Sequence, residues 1–379
     1  MKDFIITSLQ PWDSTFGGNA KDIAYELSRR HRVLYASPSC QGKGIRLLEI
    51  RERLWVLEYG ISLLPVNKLP DGILFDTANR YNNRKIFQLV NQCAARLGFH
   101  DIIHFCDNDV YRSFYAREFL QASVYLYYRR DNLHPVSYWS RHIGRLEPLL
   151  IKKSDIVLCN SSELARYACA YKAASLVHDI GQGVDLSAYR PDLPHPVPPE
   201  YRHLPRPYIG YTGALTSNRL DVELLYRLAT ARPRYTFILI GQRDSVFLGH
   251  PLCALPNVYF PGLKPLEQMP ACIQAMDVCL NPQLINEITI GNYPRKIDEY
   301  LAMGKPVVAT RTRTMELFKG YVRLCSSPRE YLAAIDEALA DNSPQKQEQR
   351  IAFAHTHSWA HSVEKIYKSI EQYENTNPL

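Results

Sequence analysis

The sequence predicts an α/β protein built from two doubly wound domains, and three observations lead to it. Short apolar runs alternate with helix-like segments, the pattern of parallel strands covered on both faces. Residues 189–208 interrupt that alternation with seven prolines, a density that neither a helix nor a central strand accommodates. The alternation then restarts. The length of 379 residues is long for one hydrophobic core and suits two domains of ordinary size.

Taken in order, DFIITSL reads as the first strand. GGNAKDIAYELSRR reads as a turn and a helix, with Ile23, Ala24 and Leu27 on one face. RVLYAS, DIIHFC, ASVYLYY and DIVLCN follow as strands, separated by helical segments. The stretch 189–208 reads as a linker between domains. Beyond it, YIGYTG and YTFILIG read as strands flanking the helix RLDVELLYRLATAR, and VYFPG, VCLNPQ and KPVVAT continue the pattern. The tail FAHTHSWAHSVEKIYKSIEQYEN reads as a helix with Trp359, Val363, Ile366 and Ile370 at helical spacing. The expected domains are 1–190, joined by the terminal helix 361–379, and 191–360. Ligands of doubly wound sheets bind off the carboxyl ends of the strands, so a cleft between two such domains is the expected site.

Hydrophobic residues make up 46% of the chain and charged residues 22%, the balance of a globular rather than a disordered protein. The nine cysteines are scattered, without a Cys-x-x-Cys pair or a histidine at zinc spacing, which points to reduced thiols in the cytoplasm and to no metal site. MKDFIITSLQPWD holds an apolar run too short for a secretory leader. No segment approaches the roughly 18 apolar residues of a membrane span. The net charge of +7 is uneven: residues 1–190 hold 25 Lys+Arg against 19 Asp+Glu, and residues 191–379 hold 20 against 19. A basic first half suits an anionic partner, either a phosphate-bearing substrate or a lipid surface, and plain solubility accounts for it equally well.

Five stretches carry candidate chemistry. The first is ITIGNYPRKIDEYLAMGKPVVAT, residues 288–310. Arg295 and Lys296 stand at the head of a helix, where cations oppose the macrodipole. That placement makes sense if an anion docks at Gly291, Asn292 and Tyr293 and the cations close over it. Glu299, one turn on, can accept hydrogen bonds from a diol beside that anion, and a phosphate next to a vicinal diol describes a nucleotide ribose. A surface pair with Arg295 is the competing reading. The second, YIGYTGALTSNRLD, ends a strand at Gly213, where the backbone can approach a diphosphate within reach of Arg219; a simple turn glycine competes. The third, FILIGQRD, ends a strand at Gly241 and Gln242, against which a base can lie. The fourth places Gly17 and Gly18 after the first strand, as a diphosphate-facing loop or a tight turn. The fifth, residues 127–153, carries six Lys+Arg against Asp131 and Glu147, interleaved with aromatics. Arg129, Arg130, Tyr138, Trp139 and Arg141 there suit an acceptor or an anionic membrane face. Asp131, at a strand's carboxyl end, is a candidate general base, with a salt bridge to Arg129 or Arg130 as the alternative. No P-loop, nucleophile elbow or nucleic-acid motif is present.

RKIDEYLAMGKPVVAT resembles the donor-site segment of two-domain nucleotide-sugar glycosyltransferases of the GT-B fold, in the large family 4 (glycosyl transferases group 1) and its relatives. Gly304, Pro306, Val307, Val308, Ala309 and Thr310 match in register, and Glu299 falls on the family's second glutamate, which binds ribose hydroxyls. Gly291 occupies the position of the first, sugar-contacting glutamate, which leaves the donor sugar and the retaining or inverting outcome open. The resemblance is strong over residues 205–375 and loose over 1–190. It implies two Rossmann-like domains with a cleft between them and a C-terminal crossover helix. It further implies metal-independent transfer of a sugar from a UDP- or GDP-linked donor, with no cofactor, to a hydroxyl of a glycan or lipid-linked saccharide. On this reading Lys296, Arg219 and amides around Gly213 and Gly291 offset charge on the leaving diphosphate, and Asp131 deprotonates or orients the acceptor. A cytoplasmic protein at the inner face of the membrane is expected, with no nucleic-acid partner. An epimerase of the same fold and a non-catalytic sugar-nucleotide-binding protein are the alternatives.

Overall fold

A computed structural model describes residues 1–14, 18–39, 42 and 44–377. The chain forms two compact units. The first comprises residues 1–183 and returns at 359–379; the second is residues 184–358.

The first unit is an eight-stranded sheet: β1 (Asp3–Ser8), β2 (Arg32–Pro38), β3 (Gly44–Arg51), β4 (Leu54–Gly60), β5 (Ile102–Asp107), β6 (Val124–Arg129), β7 (Ile156–Cys159) and β8 (Val177–Asp179). Its helices are α1 (Asn19–Leu27), α2 (Ile73–Arg96), α3 (Ala116–Phe119), α4 (Ser137–Lys153) and α5 (Ser162–Cys169). The strand order is β3-β4-β2-β1-β5-β6-β7-β8. Strands β1 and β6 are buried along their whole length, as expected of parallel strands covered on both faces. β3 departs from that expectation: it pairs antiparallel with β4 at the sheet edge and is largely exposed. The order reverses between β1 and β5, so the topological switch point of this sheet lies at the ends of those two strands.

The second unit is a six-stranded parallel sheet of β9 (Tyr208–Thr212), β10 (Thr236–Ile240), β11 (Val258–Gly262), β12 (Val278–Asn281), β13 (Val307–Thr310) and β14 (Val322–Cys325). It carries α6 (Val222–Ala231), α7 (Ser245–Gly249), α8 (Met269–Ala275), α9 (Lys296–Ala302), α10 (Pro328–Ala340) and α11 (Pro344–His355). The order β11-β10-β9-β12-β13-β14 places the switch point between β9 and β12. Local chemistry fixes several helix starts: the side chains of Asp221, Ser327 and Ser343 accept from the backbone N–H three residues on, capping α6, α10 and α11.

The last helix, α12 (Trp359–Thr376), rejoins the first unit. Val363, Ile366 and Ile370 pack there with Phe4, Ile23 and Leu27. A Cβ at Gly183 would sit 2.3 Å from the Trp359 ring, so only glycine lets the chain pass at that point.

The proline-rich stretch is not a linker. The crossing lies earlier, between Gly183 and Val184, and residues 189–208 belong to the second unit. Tyr201 among the prolines, and Tyr189 and Tyr208 at either end of them, bury their rings in that unit's core, and the Tyr208 hydroxyl donates to the Tyr201 carbonyl at 2.7 Å. The prolines set an irregular backbone, and the tyrosines anchor it.

Candidate functional site

In the second unit the strand ends at the switch point gather the predicted residues. Gly213 follows β9, with φ of 127°, and Gly241 follows β10, with φ of 145°. Both are left-handed conformations that favour glycine. Space is as restrictive as conformation: a Cβ at Gly241 would stand 1.9 Å from the Gly213 carbonyl oxygen, and a Cβ at Gly213 would stand 2.6 Å from Lys296 Nζ. Lys296 is thus laid over the bare backbone of the β9 turn. Its ammonium donates to the Tyr211 hydroxyl at 2.5 Å and lies 4.0 Å from the Tyr211 ring centroid.

Helix α9 holds Lys296 there. Tyr300, one turn further on, is fully buried and receives the Thr212 N–H at 2.8 Å, which ties α9 to the end of β9. Arg350 of α11 donates to the Gly304 carbonyl just past the helix, at 3.0 Å. Asp298 points inward, accepting from the Tyr293 hydroxyl at 2.8 Å and pairing with His357 Nδ1 at 2.7 Å. Burial raises the Asp298 pKa, against the pull of His357 and Tyr293. Tyr293, expected on the ligand side, is therefore turned into the core.

Glu299 follows on the other side of α9 and is half-buried. The Tyr189 hydroxyl, Arg295 and Lys296 lie near it. Burial raises its pKa above the ordinary value, opposed by Arg295, Lys296 and Tyr189. Tyr189 comes from the proline-rich arm, and nothing in its sequence context signalled the contact.

The loop before α9 is joined to the β9 turn. Leu284 N–H donates to the Arg219 carbonyl at 2.8 Å, and the Asn286 side chain donates to the Asn218 carbonyl at 2.9 Å. Arg219 is exposed beside that junction, Gly291 turns the loop with φ of 79°, and Asn292 N–H donates to the Thr289 carbonyl. Gln242 is exposed, and its carbonyl accepts from Leu215 N–H at 2.9 Å. One surface at the carboxyl ends of β9, β10 and β12 thus holds two bare glycine turns, an ammonium over one of them, and a half-buried carboxylate on the same helix. That set suits an anion flanked by hydroxyls.

In the first unit, Gly18 is the N-cap of α1, and Gly17 lies outside the described residues. Asp131 is exposed and paired with Arg130 at 2.6 Å. Arg130 also reaches Asp107 at 2.7 Å, and Asp107 accepts from the Ser8 hydroxyl at 2.6 Å. Burial opposes the charge on Arg130, but Asp107 and Asp131 outweigh it and raise its pKa. Ser8, Asp107, Arg130 and Asp131 therefore cluster at the ends of β1, β5 and β6, at this sheet's switch point. Neighbouring Asn108 is buried with φ of 52°, a strain that non-glycine residues adopt only where surroundings enforce it. Ser8, Asp107 and Asn108 escaped the sequence reading; their one signal was position at strand ends.

The residues expected on an acceptor or membrane face are only partly exposed. Arg129 is buried, ion-paired to fully buried Glu147 at 2.9 Å and stacked 4.2 Å from the Tyr167 ring centroid. Trp139 is core. β6 is covered on both sides, so Arg129 at its end faces inward and needs a buried counter-charge. Tyr138 and Arg141 are exposed, as a surface role requires.

Comparison with known proteins follows this geometry. Residues 206–341 match the family model described as glycosyl transferases group 1. The chain is 25% identical over 237 residues to "Putative teichuronic acid biosynthesis glycosyltransferase TuaH" of Bacillus subtilis (strain 168), a match spanning 60% of this chain and 59% of that relative. Among solved structures it is similar to sucrose-phosphate synthase from Thermosynechococcus elongatus, with TM-score 0.72, 15% identity and 100% of both chains covered. It is also similar to HepE from Anabaena in complex with UDP, with TM-score 0.63, 17% identity, and 98% and 100% of the two chains covered. A third structure, "Trehalose-6-phosphate from E. coli bound with UDP-2-fluoro glucose", gives TM-score 0.68, 10% identity and coverage of 98% and 99%. The fold is that of the GT-B glycosyltransferases.

Proposed function

We propose that this GT-B chain, with its group 1 glycosyl transferase segment, moves a sugar from a nucleoside diphosphate donor to a hydroxyl acceptor. The observation that carries the reading is Lys296 Nζ lying over the left-handed turn at Gly213, with Glu299 on the same helix. The donor is UDP- or GDP-linked; binding of UDP by the Anabaena relative supports the former. The acceptor is a glycan or a lipid-linked saccharide.

In this reading the diphosphate lies against the turn at Gly213, and Gly241 lets the end of β10 approach the Gly213 carbonyl more closely than any side chain would allow. Lys296 and Arg219 offset the charge that builds on the leaving diphosphate as the sugar–oxygen bond breaks, in place of a metal. Glu299 accepts from the ribose hydroxyls, and the tie of α9 to the end of β9 through Tyr300 places the carboxylate before the donor arrives. Asp131 takes the proton from, or orients, the attacking hydroxyl, with Arg130 holding it in place. Gly291 leaves room where a sugar-contacting carboxylate would stand, so selection among donor sugars falls to the surrounding loop.

Titration calorimetry with UDP, GDP and their sugars tests the reading. One nucleoside diphosphate should bind clearly more tightly than its nucleoside, and Lys296→Ala should narrow that difference. Binding of none of them by the intact protein would sink the proposal.

A further inference from the structure

The basic, aromatic surface that the sequence suggested for residues 127–153 is largely internal, yet an exposed apolar and basic surface lies close to it. Ile73 and Leu74, the first two residues of α2, are 85% and 64% exposed. Val136 and Tyr138, at the start of α4, are 44% and 48% exposed. Contacts bring the two helix starts together. Arg141 donates to the carbonyls of Lys68 and Leu69, His142 pairs with Asp71, and Arg145 pairs with both Asp71 and Asp76. α2 follows β4 and α4 follows β6, so both starts lie at the carboxyl end of the sheet, the end that carries Ser8, Asp107 and Asp131.

The charge on this side of the unit is predominantly positive: Lys68 and Arg141 belong to the joined helix starts, and Arg84 and Lys85 lie about three turns further along α2. Lys68, Arg84 and Arg141 are exposed and Lys85 is half-buried; among the described residues none of the four has a carboxylate within ion-pair distance. Asp71 and Asp76 share Arg145, which leaves one negative charge against these four cations, and Arg80 is offset by Glu118. Scattered exposed apolar residues are ordinary, but four at adjoining helix starts within an unneutralised basic rim are not. Apolar tips beside cations that lack a carboxylate partner match a bilayer interface, where the tips leave water and the cations meet anionic headgroups.

We propose that this rim of the first unit docks on an anionic phospholipid bilayer, with Ile73 and Leu74 inserted and Lys68, Arg84, Lys85 and Arg141 at the headgroups. The inference is independent of the donor reading, which concerns the second unit. Docking there would present the strand ends bearing Asp131 to acceptors held at a membrane.

The test is co-sedimentation of the full chain with phosphatidylcholine vesicles, with and without phosphatidylglycerol. The wild type should partition onto the anionic vesicles and release as salt rises. Ile73→Ser with Leu74→Ser, and separately Lys68→Glu with Arg84→Glu, should each lower partitioning about tenfold or more. Thermal unfolding and UDP or GDP affinity should not change, because these side chains pack little and lie outside the second unit. Equal binding to neutral and anionic vesicles, or wild-type partitioning by both double variants, would overturn the proposal. So would a wild type that self-associates without binding vesicles and becomes monomeric on Ile73→Ser with Leu74→Ser; the face would then join two copies of this chain.

Discussion

Lys296→Ala isolates the interaction on which the donor reading rests. Lys296 Nζ sits 2.6 Å from where a Gly213 side chain would begin, so an oxygen of a diphosphate resting on that turn falls within reach of a charge-assisted hydrogen bond. Such a bond is worth about 1.5–3 kcal/mol, which corresponds to roughly a 10- to 150-fold loss in affinity. The ammonium's contacts with Tyr211 contribute less: a cation–π pair at a partly exposed site is worth about 0.5–1 kcal/mol, so the variant should stay folded. Calorimetry with a nucleoside diphosphate and with its nucleoside separates the two contributions. Lys296→Ala should weaken the diphosphate by the stated factor and leave the nucleoside nearly unchanged. Lys296→Arg should recover part of the loss. Unchanged diphosphate affinity in a folded Lys296→Ala protein would refute the assignment.

Glu299→Ala should weaken diphosphate and nucleoside alike, by about 1–3 kcal/mol, because the ribose is common to both. Since burial raises the Glu299 pKa above its ordinary 4.5, donor affinity should fall with pH sooner than for a free glutamate, and Glu299→Gln should flatten that dependence. The same shift means that the ionised carboxylate costs stability at neutral pH, a cost that fades as pH falls through the raised pKa. Gly241→Ala would force its Cβ to 1.9 Å from the Gly213 oxygen at a left-handed φ; a loss of at least about 2 kcal/mol is expected, read as a lower melting temperature. Glu147→Ala would strand the buried Arg129 charge and should cost about 3–5 kcal/mol in urea unfolding of the first unit; a near-neutral change would show that the pair is solvated. Asp131→Asn should cut turnover roughly 100-fold or more while donor affinity holds, and a near-normal rate with saturating acceptor would remove it as the base.

What the sequence disclosed depended on how local the signal was. Gly213, Lys296 and Glu299 were legible because a strand, a glycine turn and a short helix place them within a few residues of known direction. The alternation of strands and helices disclosed both sheets but not the β3–β4 hairpin, whose exposed edge strand lacks the apolar run of the others. Arg129 and Trp139 were read as surface because aromatic and basic residues are common at interfaces; their burial follows from β6 lying inside the sheet and from Glu147, eighteen residues on. Tyr293 was assigned by proximity to a motif, but Asp298 and His357 draw it inward. Prolines in 189–208 foretold an irregular backbone truthfully. They held no information on whether that backbone was packed, which the tyrosines among and beside them decide by burying their rings and through partners such as Cys272.

The return of α12 to the first unit has a consequence for biosynthesis. The second unit is one uninterrupted stretch, 184–358, whereas the first needs residues on both sides of it. During translation, domains ordinarily complete from the N-terminus onward. Here the order inverts for the final step: the second unit can close while the first still lacks Val363, Ile366 and Ile370 against Phe4 and Leu27. Until those residues emerge, a nascent chain carries an open apolar seam along α1. A chain truncated after residue 358 would hold every residue of the second unit but a first unit without α12, its seam open to chaperones and proteases.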